Sequence, residues 1–196
     1  MRRGFKSQAE QKAAEFRQRL NCRPDESISI DELAHVLDVE MMSADKLVPL
    51  ARLEELNGIQ EDAFSAATFR RKDGSRVVVF NPLHSLGRTR SNQAHELAHI
   101  VLQHTVRTIE EVGGLTFVTC DIEQEEEADW FAGCLLLPRD LLYREAKKGR
   151  TPIEIATLHE TSEAMARFRL NASGVLIQIG RNKANVSTKH PRAQPK

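Results

Sequence analysis

The stretch SNQAHELAHIVLQH, Ser91–His104, governs the interpretation of the rest of the chain. It places His95, Glu96 and His99 in the spacing H-E-x-x-H, among small and apolar residues. Helical residues four apart share one face, so the two histidines can present their imidazoles to one ion. Glu96 lies about 100° around the helix, beside such an ion rather than bound to it. The pattern predicts either a metal-dependent hydrolase with Glu96 as general base or an amphipathic helix with a polar patch.

A third ligand decides between these two interpretations, because a catalytic zinc site usually takes three protein ligands and a water molecule. The longer pattern H-E-x-x-H-x-x-G-x-x-H fails here, since Leu102 stands in place of the glycine and Thr105 in place of the last histidine. His104 is one residue out of register, and no glycine precedes it to turn the chain back. We expect His104 to be solvent-facing or helix-terminal, and not a ligand.

The acidic segment CDIEQEEEADWFAGCLLLP, residues 120–138, offers a carboxylate instead. Apolar residues recur at helical spacing in its second half and must face the core: Ala128, Phe131, Ala132, Leu135 and Leu136. Glu125 lies three residues before Ala128 and continues that face, so we predict it to be the third metal ligand. Asp129, one turn later, is placed to hold a ligand imidazole through its second nitrogen.

The other glutamates of this segment have a simpler explanation, because carboxylates are favoured at a helix N-terminus. That explanation predicts a solvated face for Glu123, Glu126 and Glu127. It does not account for a carboxylate on the apolar face.

The composition limits the classes of function. The 196 residues contain 28 Lys and Arg and 28 Asp and Glu, so the formal net charge is zero, which argues against a chain that mainly coats nucleic acid. The three widely spaced cysteines predict reduced thiols in a cytoplasmic protein. No apolar run approaches the roughly 18 residues of a membrane span, and the N-terminus has no apolar signal region.

Periodicity and turn residues predict the elements around the motif. Asp73-Gly74 lies between two β-prone runs and predicts a hairpin, whose Val77–Phe80 strand is continuously apolar and therefore central. The segment from Glu110 to Asp121 has no helical period. Helices are predicted at 7–21, 30–38, 45–57, 90–104, 122–137, 139–148 and 152–171, and VLIQIG, residues 175–180, is predicted to be a last strand.

Three blocks, RVVVFNP, QAHELAHIVLQH and EEEADWFAGCLLLP, together resemble the ImmA/IrrE metallopeptidase family, whose domain is also called peptidase M78. The family pattern has a strand ending in Asn-Pro, then A-H-E-L-G-H, then E-x-x-A-[ND]-x-F-A-x-x-L-L-x-P. The blocks follow this order over about residues 63–140. Ala98 is a departure, since the family usually has glycine there.

The resemblance implies one Zn²⁺ per chain, held by His95, His99 and Glu125, with Glu96 as catalytic base. It implies a cytoplasmic zinc endopeptidase that cleaves a helix-turn-helix transcriptional repressor and so derepresses mobile-element or stress-response genes. No N-terminal helix-turn-helix is evident, so the repressor is expected to be a separate protein. No residue is assigned to stabilise the oxyanion; the candidates are Tyr143, His84, His104 and His159, and each is expected to be structural or exposed instead.

The expected fold is α+β: a mainly helical, zincin-like metallopeptidase domain with a small β-sheet, a C-terminal helical pair and a disordered tail. The predicted organisation is N-terminal helices at 1–60, a zinc metallopeptidase core at 61–140, a C-terminal helical extension with a final strand at 141–181, and a disordered tail at 182–196.

The alternative function is a non-proteolytic zinc-binding regulator that acts by binding a partner or DNA. Ser162 could cap a recognition helix carrying Arg167 and Arg169. Glutamates surround these arginines, and a chain of zero net charge offers little affinity for phosphates, so direct DNA binding is not expected.

Overall fold

The computed structural model describes residues 1–23, 25–60, 63–104, 108–112, 115–119 and 121–189, and for 108–112, 115–119 and 183–189 it describes the backbone alone. The elements follow the chain in this order: α1 (Phe5–Arg19), α2 (Ile30–Val36), β1 (Val39–Ser43), a 3-10 turn (Ala44–Lys46), α3 (Leu50–Ile59), β2 (Ala66–Arg70), β3 (Arg76–Phe80), α4 (Leu86–Val101), β4 (Thr108–Val112), β5 (Leu115–Thr119), α5 (Ile122–Leu136), α6 (Arg139–Lys147), α7 (Pro152–Leu158), α8 (Glu163–Ala172) and α9 (Val175–Lys189). This is the predicted mainly helical α+β fold.

A three-stranded sheet in the order β1-β3-β2 supports the helices. The predicted hairpin is present: β2 pairs antiparallel with β3, and Gly74 in the turn has a φ of 87°, which glycine adopts without strain. β3 is central, as its apolar run indicates. β1 was not predicted, and it pairs parallel with β3, from Val39 beside Arg76 to Ser43 beside Phe80.

The two faces of β3 belong to different layers, which explains why its valines form an unbroken run. Val78 is fully buried in the main core, together with side chains of α4 and α5. Val77 and Val79 point the other way and pack with Leu53 of α3 and with Ala44 in a second, smaller core. The sheet therefore separates α3 from the main helical layer.

Small side chains set the close packing of α4 against α5. Ala94 and Ala98 of α4 and Ala128 and Ala132 of α5 are fully buried in one core. Ala98, at the position where the related family usually has glycine, is fully buried in this core. This contact brings the H-E-x-x-H face of α4 beside the first turns of α5.

The C-terminal helices pack onto the far end of α5. Arg169 of α8 is fully buried, and a Cβ at Gly133 of α5 would lie 2.4 Å from its Cδ, so any other residue at this position would crowd the arginine side chain. The Arg169 guanidinium donates to the carbonyl of Leu137 at 3.2 Å and to the Glu10 carboxylate at 2.7 Å. It also lies over the Trp130 ring, 5.5 Å from the ring centroid.

Several predicted elements need correction. The helix predicted at 45–57 begins later, at Leu50, because Pro49 takes an extended conformation and caps it. The segment from Glu110 to Asp121, which has no helical period, includes the end of β4 and the whole of β5, and this agrees with the prediction. The helix predicted at 152–171 is two helices, separated by a turn in which Glu160 has a φ of 49°.

The predicted last strand at 175–180 is wrong, since these residues form the start of α9. Their β-branched side chains favour a strand in isolation, but tertiary contacts override such propensities. Val175 is fully buried, and Arg139 of α6 donates to the Gln178 side chain at 2.6 Å, so one face of a helix is held. The predicted disordered tail starts at 182, whereas α9 continues to Lys189; residues 190–196 lie outside the described part.

No helix in the described part of the chain combines the length and the apolar character needed to cross a membrane.

Candidate metal centre

α4 is fixed in place at its N-terminal half. A Cβ at Gly87 would lie 2.3 Å from the Thr161 carbonyl oxygen, so the helix and the α7–α8 turn touch through backbone. One turn on, the Ser91 hydroxyl lies 3.0 Å from that of Thr161 and accepts a bond of 2.9 Å from the Ser162 amide. These contacts set the rotation of α4, and with it the direction of the residues that follow.

His95 and His99 point their Nε2 atoms to the same place. The two Nε2 atoms are 2.9 Å apart, and the ring planes meet at 67°. The side chain of His99 is 14% exposed and that of His95 is 21% exposed. The i, i+4 spacing therefore places both imidazoles on one face of α4.

Glu125 reaches this pair from the first turn of α5, which begins after Asp121, whose side chain accepts from the Glu123 amide. Its Oε2 lies 3.1 Å from His95 Nε2 and its Oε1 lies 3.5 Å from His99 Nε2. The Glu125 side chain is 45% exposed, so it lies at the open margin of the helix pair rather than within the core.

These distances fit a zinc ion. The three ligand atoms of His95, His99 and Glu125 all lie within 4.8 Å of one another, and no other such group occurs among the residues that the structure describes with side chains. A tetrahedral zinc with bonds of about 2.0–2.1 Å separates its ligand atoms by about 3.3–3.4 Å. Two imidazoles and one carboxylate are also a donor set found in open, catalytic zinc sites.

The carboxylates around His95 favour a positive charge in the cluster of His95, His99 and Glu125. Burial opposes protonation, but hydrogen bonds to Asp129 and Glu125 outweigh it and raise the pKa of His95 to about 10. Burial, and next the positive charge of His95, lower the pKa of His99 to about 4. A divalent cation supplies the same positive charge while both imidazoles stay neutral.

Asp129 lies where the sequence predicted it. Its Oδ1 is 2.8 Å from His95 Nδ1, on the side of the ring away from the cluster. A carboxylate at Nδ1 keeps the proton on that nitrogen and leaves the Nε2 lone pair available to a metal. The side chain of Asp129 is 58% exposed.

Glu96 has a partner that sequence reasoning missed. The Thr68 hydroxyl of β2 donates to Glu96 Oε2 at 2.7 Å, across 28 residues of sequence. Thr68 is the middle residue of its strand, so the sheet fixes the orientation of the carboxylate. No local pattern identifies this contact, because it depends on how β2 lies against α4.

Two other side chains near the cluster differ from expectation. His104 is 5% exposed at its side chain and does not face solvent, although it does lie just beyond the end of α4. Glu127 is 3% exposed and bonds Arg2, so it does not belong to a solvated face; Glu123 and Glu126 do. Burial favours the protonated form of Glu127, but the bonds from Arg2 lower its pKa overall. Burial lowers the pKa of His104.

Of the remaining candidate side chains, Tyr143 and His159 belong to other parts of the fold, whereas His84 lies beside α4. Tyr143 of α6 accepts from the Asn182 side chain at 3.1 Å, and His159 lies 3.4 Å from the Ser27 hydroxyl. His84, before α4, lies 3.4 Å from the Asn92 side chain, one turn before Glu96. Two of the three cysteines are described; Cys134 is buried, which raises its pKa, and Cys120 falls outside the described residues.

A mainly helical domain that joins H-E-x-x-H to a glutamate on the next helix is metallopeptidase-like. The chain belongs to the peptidase M78 family, as the sequence blocks indicated: the model of this family, described as the IrrE N-terminal-like domain, matches residues 54–171, more than half of the chain. The match includes the His95, His99 and Glu125 cluster, as well as Thr68 and Glu96.

A solved structure described as a Mycobacterium tuberculosis transcriptional regulator is similar to this chain, with 14% sequence identity and a TM-score of 0.49. The similarity covers 86% of this chain and 47% of that one, so the chain spans about half the length of that protein. No curated protein matches the sequence at a significant level.

Proposed function

We propose that this protein is a zinc-dependent endopeptidase that cleaves a helix-turn-helix transcriptional repressor and thereby derepresses mobile-element or stress-response genes. The observation that supports hydrolysis is the convergence of His95, His99 and Glu125, with the Glu96 carboxylate on the same helix. The peptidase family supports a protein substrate. The choice of a repressor as that substrate rests on the family resemblance alone.

The four residues have separate roles in this proposal. Zinc held by His95, His99 and Glu125 would act as a Lewis acid and lower the pKa of a water molecule to about 7. Glu96 would accept the proton of the water that attacks the scissile carbonyl and would deliver it to the leaving amine. The bond from Thr68 occupies Oε2 and fixes the carboxylate plane, which leaves Oε1 for the proton.

The three-stranded sheet offers an extended peptide an edge near Glu96. The central strand, β3, is paired on both sides and has no free edge. β2 is at the margin of this sheet and carries Thr68, the partner of Glu96. A substrate strand added to β2 would run beside the catalytic base.

The alternative function, a regulator that binds DNA directly, has little support from the helix that would have to carry it. Its recognition helix would be α8, which Ser162 does cap by accepting from the Met165 amide. Arg169, however, is fully buried, and Arg167 pairs with Glu163. Arg169 is therefore not available to phosphates, and Arg167 has a carboxylate of its own helix beside it, which favours the α7–α8 pair as a packing element of the core.

The test uses the purified full chain, its zinc content, and helix-turn-helix repressors from the same genome as substrates. Wild-type protein is expected to hold one zinc and to cut one repressor, and a chelator should stop the reaction. Glu96→Gln should keep the zinc and slow cleavage by about 10²–10⁴-fold. Glu126→Gln, an exposed neighbour of the ligand, is the matched control and should cut normally. Cleavage by Glu96→Gln at the wild-type rate, or purified protein without stoichiometric metal, would overturn the proposal.

A further inference from the structure

The end of α4 turns the chain back toward the metal centre. Gln103 has a φ of 55°, a left-handed conformation that residues other than glycine adopt less readily. The Gln103 amide donates to the Ile100 carbonyl at 3.2 Å, and the His104 amide donates to the His99 carbonyl at 3.0 Å. These two bonds form the Schellman motif, in which the residue after the left-handed position comes back over the last turn of the helix. That motif brings His104 onto His99.

The two imidazoles then meet through their δ nitrogens. His104 Nδ1 lies 3.0 Å from His99 Nδ1, and the ring planes meet at 75°. A contact of this length between two ring nitrogens needs one hydrogen, so one nitrogen donates and the other accepts. The distance alone does not tell which ring carries it.

The surroundings of the pair assign the proton. His99 directs Nε2 into the cluster, 2.9 Å from His95 Nε2, and a ligating nitrogen needs its lone pair, so the proton of His99 belongs on Nδ1. His104 then accepts at Nδ1 and carries its own proton on Nε2. That Nε2 faces a carboxylate, since Glu127 Oε2 is 3.7 Å away.

Glu127 is itself held in place. Arg2 donates to it from Nε at 2.9 Å and from NH2 at 2.8 Å, and the Arg2 backbone amide adds a bond of 3.2 Å. A buried carboxylate fixed in this way favours a proton on the nearest nitrogen of His104 rather than a lone pair. The contacts therefore run from Arg2 through Glu127 and His104 to His99.

We propose that His104 is a positioning residue, which holds His99 in the tautomer with its proton on Nδ1 and its Nε2 lone pair aimed at the cluster. It does for His99 what Asp129 does for His95, with a neutral ring in place of a carboxylate. The inference rests on the proposed function in one respect: Nε2 of His99 is taken to be a ligand atom.

The experiment compares wild type with three variants. His104→Leu removes the acceptor and keeps an apolar side chain in the buried space. His104→Asn offers a carbonyl oxygen close to the position of Nδ1. Gln103→Gly keeps the left-handed turn and is the matched control. Side-chain ¹⁵N NMR of the metal-free protein reports the His99 tautomer, and competition with a chromophoric chelator reports zinc affinity.

The expected wild-type spectrum shows His99 protonated on Nδ1. His104→Leu should shift His99 toward the other tautomer and weaken zinc binding by about 10–100-fold, the usual effect of losing such a partner. His104→Asn should restore most of the affinity, and Gln103→Gly should match wild type. A merely structural role would give the Leu and Asn variants equal losses, and that result overturns the proposal. So does a His99 proton on Nε2 in wild type.

The design separates this inference from the proposed function. Wild-type protein that binds one zinc, together with a His104→Leu variant that binds it equally well, overturns the role of His104 and leaves the metal centre standing. Wild-type protein that binds no zinc overturns the metal centre. In that case the His99 tautomer, measured in the metal-free protein, still shows whether His104 determines which ring nitrogen of His99 carries the proton.

Discussion

α5 contacts or carries charged side chains at both ends, and the two ends differ in how they are enclosed. At its first turns Glu125 and Asp129 meet the imidazoles of α4, with side chains 45% and 58% exposed. At its last turns Gly133 and the Leu137 carbonyl meet Arg169, which is fully buried. The first cluster is open and the second is closed.

The difference shows that burial of a charge does not by itself indicate function. The guanidinium of Arg169 already has a carboxylate, a carbonyl and an aromatic ring as partners, so it holds three helices together. At the open end three atoms that could hold a metal ion converge beside the partly exposed Glu125 side chain. Variants at the closed end should therefore change stability, and variants at the open end should change zinc affinity.

The largest effect is expected at the closed end. Arg169→Met removes the buried partner of Glu10 and leaves the Leu137 carbonyl without this donor. Because Glu10 is 28% exposed, the expected cost is at the low end for a broken buried pair, about 3 kcal/mol of unfolding free energy. Urea denaturation of the metal-free protein measures this loss. Arg167→Met, an exposed arginine on the same helix, is the control and should cost less than about 1 kcal/mol. If the folded Arg169→Met protein also bound zinc more weakly, by a free energy equal to its loss of stability, the closed end of α5 would not be independent of the open end.

Glu125→Ala should have the next largest effect, at the open end. Loss of a partner beyond the ligands weakens metal binding by about 10–100-fold, so loss of a ligand should weaken it by more than about 100-fold. Chelator competition measures the affinity. Unfolding of the metal-free variant should change little, because the side chain is half exposed. Glu126→Ala serves as the neighbouring control. If it also bound zinc more weakly, the affinity would depend on the overall negative charge of this helix end rather than on Glu125 as a ligand.

Asp129→Asn sharpens the comparison within the open end. The amide keeps the shape but not the charge that holds His95 Nδ1, so zinc affinity should fall by about 10–100-fold. Isothermal titration calorimetry of wild type and variant, at one pH, gives the ratio. An unchanged affinity would mean that Asp129 is a surface carboxylate that happens to lie beside the ring.

The smallest effect is expected for Gly133→Ala. The added methyl group meets the Arg169 side chain, and this overpacking exceeds the gain in helix propensity, for a net loss of about 1 kcal/mol. Thermal unfolding measures it. Gly180→Ala, where a Cβ meets nothing within 4 Å, should instead stabilise α9 slightly. Equal shifts in both variants would show that the space at Gly133 is not limiting.

The sequence was informative where the pattern is local. The i, i+4 spacing of His95 and His99 and the apolar face behind Glu125 each lie within one helix, and helical geometry relates spacing to direction. Asp73-Gly74 likewise determined the hairpin through its own turn conformation. Contacts that depend on tertiary packing could not be predicted from local patterns. Thr68 donates to Glu96 across 28 residues of sequence, and Arg2 donates to the buried Glu127 across 125 residues.

Two local signals were misinterpreted. The absence of glycine before His104 was taken to prevent a return of the chain, yet Gln103 adopts the left-handed conformation at a modest energetic cost. The β-branched residues of VLIQIG were taken as a strand, yet the burial of Val175 against the helices decides for α9. β1 escaped notice because its parallel partner, β3, follows 37 positions later in the chain.

The fit between Gly133 and Arg169 has a consequence for related sequences. A chain with a larger residue at the first position, that of Gly133, crowds an arginine at the second, that of Arg169, so the two sites should change together as the family diverges. A relative with alanine or serine at the first site is expected to carry a short or apolar residue at the second, and to lose the acid that matches Glu10. Paired substitutions of this kind would trace the closed end of α5 through evolution independently of the metal ligands.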